Sequence, residues 1–264
     1  CGLLMEARAG GSPQPKGDCA TPLAGGALRE LPEAPTTTNP LKLPEYAGHA
    51  QRLTGIAGWL CGAYRFDGYP AFLAVAQYVS TNPNQRVWDA VLRWCHYLVD
   101  TRDVCLYFHP LDPHTPFAAG ADSSCLNGSS YGGFCIGFPG SGAFQFQCFV
   151  PGKLADSSAG AEAIVACHCV KAIVAARMLA EELGLKQLEP TPLAMGASAV
   201  IDGAKMERVS RASRWLAARQ AILREMIAAH LTRLVKVDTE AHTADIFTVQ
   251  HASRRTSWYP GVLS

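Results

Sequence analysis

Three apolar or alternating runs, Phe117 to Asp122, Tyr131 to Phe138 and Ala143 to Phe149, stand directly before a helical run from about Ser158 to Leu183. This succession constrains the fold more than any other feature of the chain. The dipeptides Asn127-Gly128 and Pro139-Gly140 separate the runs as turns, so each reads as a strand. The helical run stops at Gly184, a residue type that commonly ends helices. Beyond it lie a short strand at Leu193–Met195, helices at Ala197–Gly203 and about Ser210–Ala229, a strand at Thr232–Val237 and a short helix from Ala241. Val104 to Phe108 is also strand-like. The order is three strands, helix, strand, helix, strand, helix.

Upstream the pattern is different. Residues 1–43 are rich in Gly, Pro, Thr and Ala, which is the composition of a linker or extended tail. Residues 44–103 read as a helical subdomain. Leu53, Ile56, Ala57, Leu60 and Cys61 recur at helical spacing, Tyr69 to Tyr78 gives a second helix, and Val87 to Leu98 a third with Asn84 placed to cap it. Residues 104–250 then form the strand-bearing domain, and 251–264 a C-terminal tail.

The length of 264 residues and a hydrophobic content of 48% allow one large domain or two small ones with a real core. Net charge is +1, so a grip on nucleic acid must rest on local patches. The ten cysteines include no Cys-x-x-Cys. Cys167-His168-Cys169 lies in the long helix, where neighbours point about 100° apart, so buried thiols are the better reading than a metal cluster. Such thiols suit an intracellular, reducing compartment, with nucleus, cytoplasm and organelle left open. No secretory signal opens the chain, and no apolar run is expected to span a bilayer. The chain begins at Cys1 rather than Met, so a fragment or processed form is expected, with an upstream targeting sequence left open.

From about Leu41 to Val249 the chain resembles the C-terminal part of Copia-type retrotransposon polyproteins, the end of the reverse transcriptase followed by its RNase H domain. Ordered motifs carry the resemblance. Tyr46 to Leu60 with Gly58-Trp59-Leu60 is similar to the family's "YxxLVGSLxYL" helix, and Tyr64-Arg65-Phe66-Asp67 to its "TRPD". Ser80-Thr81-Asn82-Pro83 followed by Trp88 matches "MSNPxxxHW". Ala121-Asp122-Ser123-Ser124 stands for "SDAD", Ser157 to Glu162 for "SSTEAE", Met195 to Val200 for "CDNQSA" or "LDASAV", and Ala244 to Val249 for "ADILTK". The implied fold is α/β and RNase H-like, a mixed five-stranded sheet with helices, preceded by a helical reverse-transcriptase connection. The order of strands and helices is that of this fold.

The chemistry implied is cleavage of RNA in RNA–DNA hybrids by carboxylates holding two magnesium ions. The resemblance places Asp122 on the first strand, Glu162 in the first turn of the long helix and Asp245 at the start of the last helix, as catalytic and metal-binding residues. As isolated residues, Asp122 and Asp245 read equally as turn or cap residues, and Glu162 as an acid favoured by the helix macrodipole. The fourth acid is replaced by Gly196, and Asp202 in the following helix is not expected to reach the site. Where the family has a basic stretch, this chain has Gln145 to Pro151, with Phe146, Cys148, Phe149 and Val150.

These departures predict a domesticated, catalytically impaired protein serving as a structural or nucleic-acid-binding subunit of a larger assembly, such as a ribonucleoprotein. The alternative is an active magnesium-dependent RNase H of a Copia-type retroelement. The expected partners are other proteins, meeting the tail at 1–43 and the run at 145–151, and RNA. Lys205, Arg208, Arg211, Arg214, Arg219 and Arg224 read either as a solvated helix face or as a patch for RNA, with Arg208, Arg211, Arg214 and Arg219 as the candidate contacts.

Overall fold

The computed structural model describes residues 5–7, 44–106, 108–110, 112, 115–126, 129–151, 157–206, 214–238 and 242–248. Apart from residues 5–7, the expected tail at 1–43 lies outside the described residues, as do the tail at 251–264, Arg208, Arg211 and the Asn127-Gly128 turn. The chain divides into two compact units, one built on Leu106–Thr248 and the other on residues up to Cys105.

The N-terminal unit packs three helices, α1 (Pro44–Ala63), α2 (Tyr69–Val79) and α3 (Gln85–Asp100). Asn84 caps α3 by accepting the Val87 amide at 3.1 Å, satisfying one of the free donors of the first turn. Ala57, Cys61, Val75, Val91 and Trp94 form the buried seam. Of the residues that set the periodicity of α1, Ile56 is 59% exposed, and Trp59 beside it is 69% exposed. The helix turns its small residues inward instead, because the Phe72 ring lies where a Cβ on Gly58 would stand, 2.4 Å away.

Between α1 and α2 the segment Tyr64-Arg65-Phe66-Asp67 has a clear packing role. Arg65 holds both Asp67 oxygens through one guanidinium edge, Nε and Nη2, at 3.0 and 2.7 Å, and its Nη1 reaches the carbonyls of Leu98 and Thr101 at the end of α3. Tyr97 donates to the same Asp67 carboxylate at 2.7 Å. The buried charges are therefore paired and hydrogen-bonded, the condition under which burial is tolerated.

The strand Val104–Leu106 does not join the main sheet as the grouping of 104–250 implied. It pairs with Met5–Ala7 in a separate two-stranded sheet; these are β2 and β1.

The C-terminal unit contains β3 (Ala118–Leu126), β4 (Ser129–Gly137), β5 (Ala143–Phe149), β6 (Thr191–Met195) and β7 (Thr232–Lys236). They form one sheet in the order β5-β4-β3-β6-β7. The first three strands are antiparallel neighbours, while β3, β6 and β7 run parallel. Parallel neighbours need crossovers, and helices supply them. Here these are α4 (Ser158–Glu182) before β6, and α5 (Ser198–Lys205) and α6 (Ala217–Ala228) before β7. This strand order and these directions are those of the RNase H fold. The turn before β5 uses Gly140 at φ +73, where a side chain would be strained.

Helix α4 is long and apolar enough by length and composition to cross a membrane, contrary to the sequence expectation. It is the core helix of the domain: Val165, Ala166, Cys169, Val170 and Ile173 are buried against Phe134, Ile136, Leu193 and Met195 of the sheet. Helix α6 begins at Ala217, preceded by a 3-10 turn at Arg214–Leu216, rather than as one helix from Ser210.

Candidate metal centre

Strand β3 brings Asp122 to the middle of the sheet, paired with Gly133 on β4. Parallel pairing of Ala121 with Met195 sets the next residue of each strand, Asp122 and Gly196, side by side. From the helix side comes Glu162. It is the fifth residue of α4, just past the first turn, and Ser157 caps the helix by accepting the Gly160 amide. Glu162 is 7% exposed.

The third carboxylate arrives on a 3-10 turn, Thr243–Phe247, that contains Asp245. Phe247 anchors this turn. Its side chain is fully buried, and a Cβ on Gly133 would lie 2.5 Å from it. One residue away, Gly132 meets Val165 of α4 in the same manner, at 2.3 Å. Successive strand residues point to opposite faces, so these two glycines let the last turn and the long helix close on the two sides of β4. Thr248, just past the turn, donates its hydroxyl to Asp122 Oδ2.

The structure thus brings Asp122, Glu162 and Asp245 together, and adds a residue that the sequence did not single out. One ligand atom from each of Asp122, His242 and Asp245 lies within 4.8 Å of the others. His242 Nε2 is 3.3 Å from the Ala194 carbonyl, and Nδ1 is 3.5 Å from Asp245 Oδ1. The only sequence signal for it is its place three residues before Asp245, and a lone His at a turn is usually silent.

The electrostatics follow from burial and crowding. Burial, then the neighbouring Asp122, pushes Glu162 up to about 8. Asp122 is also raised, chiefly by burial, against the Thr248 hydrogen bond that favours its charged form. His242 feels burial downward, but Asp245, Asp122 and Glu162 overcome it and its pKa is raised. Glu162 Oε1 accepts the Ser123 amide at 3.2 Å, and the buried carboxyl is hydrogen-bonded to Asp122. Two buried carboxyls this close do not both ionise cheaply unless a cation or donor lies between them. The donor set therefore fits a divalent ion.

Gly196 leaves room for the missing acid. Among the described residues, a Cβ built there meets Asp122 Oδ1 at 3.9 Å and nothing nearer, and the Gly196 carbonyl accepts from Lys236 Nζ. Asp202 is exposed on α5. Of the basic candidates, Arg214 is exposed in its 3-10 turn and Arg219 is half-buried on α6, while Arg224 reaches the Met206 carbonyl. In the run 145–151, Phe149 packs on the core and lies 4.6 Å from the His168 ring, so it is not a free apolar patch. Phe144 is 40% exposed and stacks with Phe117 and Phe138.

No protein-family model matches the chain. It is 28% identical over 235 residues, 87% of its length, to the retrovirus-related Pol polyprotein from transposon TNT 1-94 of Nicotiana tabacum. The chain spans 17% of the length of that relative. The retrotransposon resemblance read from the motifs is thereby borne out. Among solved structures, it is similar to LC11-RNase H1 in complex with an RNA/DNA hybrid, at 12% identity and TM-score 0.39, covering 50% of this chain and 92% of that one. It is also similar to the foamy viral protease-reverse transcriptase in complex with double-stranded DNA, at 10% identity and TM-score 0.43, covering 82% of this chain and 35% of that one. The fold assignment rests on strand order and direction.

Proposed function

We propose that this chain is a domesticated, catalytically impaired RNase H-like protein that serves as a nucleic-acid-binding or structural subunit of a larger assembly such as a ribonucleoprotein. One observation carries the reading: Asp122 and Asp245 offer ligand atoms within 4.8 Å of each other and Glu162 is hydrogen-bonded to Asp122, while Gly196 offers no side-chain ligand beside Asp122. Magnesium, a hard ion that prefers oxygen, would be held by these three carboxylates. Bound there, a divalent ion supplies Lewis acidity and an activated water. The chain's own residues set the limit. Two-metal hydrolysis needs enough carboxylates to hold both ions, and this set lacks one of its four. Nucleic-acid contact is assigned to Arg208, Arg211, Arg214 and Arg219, and other proteins to the tail at 1–43. The free thiols of Cys61, Cys95, Cys135, Cys148, Cys167 and Cys169 suit a reducing intracellular compartment.

The second reading is an active magnesium-dependent RNase H of a retroelement. The ligand atoms of Asp122, His242 and Asp245, within 4.8 Å of one another, favour it, since they would still receive a cation. The assay that decides is cleavage of a labelled RNA–DNA hybrid with magnesium. The expected result is turnover orders of magnitude below an ordinary RNase H, because each ~1.4 kcal/mol of lost transition-state stabilisation is a factor of ten. Gly196→Asp is expected to raise it. Turnover at the ordinary level, abolished by Asp122→Asn, establishes the active enzyme instead.

A further inference from the structure

We propose that Asp122, His242 and Asp245 form a mixed nitrogen–oxygen site that takes one transition-metal dication, of the manganese, cobalt or zinc class, in preference to magnesium. This rests on the reading of the cluster as a metal centre and specifies which ion it now selects.

The argument starts from the imidazole. The His242 side chain is 1% exposed and cannot turn to solvent. Its Nε2 lies against the Ala194 carbonyl, and a carbonyl only accepts, so Nε2 carries the proton. The remaining nitrogen, Nδ1, is buried and, among the described residues, meets no hydrogen-bond donor. It faces Asp245 Oδ1 at 3.5 Å, the outer limit of a hydrogen bond, and pairs with that carboxylate when the ring carries a second proton. A ring nitrogen in that position is turned toward two carboxylates with nothing between them. Metal-binding histidines are arranged in this way: one nitrogen held by a backbone carbonyl, the other presented to the ion.

The spacing agrees. Ligand atoms of the three residues fall within 4.8 Å of one another, so one ion can touch all three after small side-chain adjustments. Asp122 is steadied by the Thr248 hydroxyl, and Asp245 sits on the turn anchored by Phe247. Glu162, hydrogen-bonded to Asp122, remains as further ligand capacity beside it. The ligand chemistry then sets the choice. Magnesium demands hard oxygen donors and gains little from imidazole. Later first-row dications gain affinity from it, in the usual order of rising stability. Replacing an acid by Gly196 and presenting His242 shifts the donor set from all-oxygen toward nitrogen–oxygen.

A second proton on the His242 ring is the rival occupant of the same space, forming an imidazolium against the carboxylates. The experiment is metal titration of the full chain, free of nucleic acid, using Co2+ followed by its visible d–d absorption with competition by Mg2+. We expect one Co2+ per chain, displaced by Mg2+ only at an excess of a hundredfold or more. His242→Ala is expected to lower Co2+ affinity at least tenfold while leaving Mg2+ affinity within about twofold. Asp122→Asn should weaken both. Because His242→Ala could disturb the fold, a second measurement uses the unaltered chain: long-range 1H–15N spectra with Zn2+ should shift one ring nitrogen of a single histidine. Equal competition by Mg2+, or an unmoved histidine spectrum, overturns the selectivity. Absence of any Asp122-dependent metal binding overturns the metal centre itself, an outcome that the hybrid-cleavage assay does not duplicate.

Discussion

The Ser123 amide donates to Glu162 Oε1 at 3.2 Å, tying the central strand to the core helix, and the buried carboxyl also hydrogen-bonds Asp122. A carboxyl so placed prefers to keep its proton, and Glu162 is pushed up to about 8 by burial first and Asp122 second. Its unfolded value is about 4.3. Between these two values the folded chain binds more protons than the unfolded chain. Stability therefore falls as pH rises through that window; this contribution is fully present below the lower value and lost above the upper one. Glu162→Gln keeps an acceptor for Ser123 and removes the titration. Its Tm relative to wild type is expected to increase from about pH 5 to about pH 8. A constant difference across that range would show that Glu162 does not carry the pH dependence.

The placement of Asp245 depends on a contact far from any charge. A Cβ at Gly133 would stand 2.5 Å from Phe247 and 2.9 Å from the Gln147 carbonyl, so neither neighbour can yield cheaply. Gly133→Ala is expected to cost about 1–3 kcal/mol, the usual range for overpacking. It should also push the 243–247 turn off the sheet and lower metal affinity, although it touches no ligand. Urea unfolding and the Co2+ titration together check this. Lost stability with intact metal affinity would mean that the turn moves as a unit without disturbing Asp245.

Most of the architecture was legible because it follows from local pattern. Three strand runs, a long helix and two further strands gave the sheet, and Asn84 and Ser157 cap their helices as residues of that type do. Asp122, Glu162 and Asp245 were legible through motif order. His242 was not, because its role depends on the Ala194 carbonyl, 48 positions away in sequence. The exposed side of α1 was misjudged for a related reason. Ile56 fits a helical period as well as Ala57 does, and only the Phe72 ring over Gly58 decides which face turns inward. Likewise Phe149 looked available until His168 of α4 was found against it.

In the helical unit, Asp67 accepts from both Arg65 and Tyr97 within a buried network. Removing one partner of a buried ion pair strands the other, at a cost of about 3–5 kcal/mol. Asp67→Ala is therefore expected to lower the unfolding midpoint of this unit severely. Tyr97→Phe deletes only one hydrogen bond and should cost about 1–2 kcal/mol. Chemical denaturation of the two variants is the check. Equal effects would place the stabilisation in the Tyr97–Asp67 hydrogen bond rather than in the charge pair.

The proposed nucleic-acid surface makes a prediction that separates it from an ordinary solvated helix face. Arg214 is exposed, and Arg219 projects from α6 with its side chain half-buried. Each arginine that neutralises a phosphate releases counterions, so log affinity falls with log salt by about 0.7–0.9 per contact. Hybrid or RNA binding by the wild-type chain is expected to be strongly salt-dependent despite a net charge of only +1. Replacing Arg214 and Arg219 by Ala should reduce the slope by about 1.4–1.8, with little change in Tm. Adding Arg208→Ala and Arg211→Ala should roughly double that reduction. Fluorescence anisotropy across a salt series reads the slope directly. A slope unchanged by all four substitutions would assign these arginines to the solvated face and move any nucleic-acid contact elsewhere on the domain.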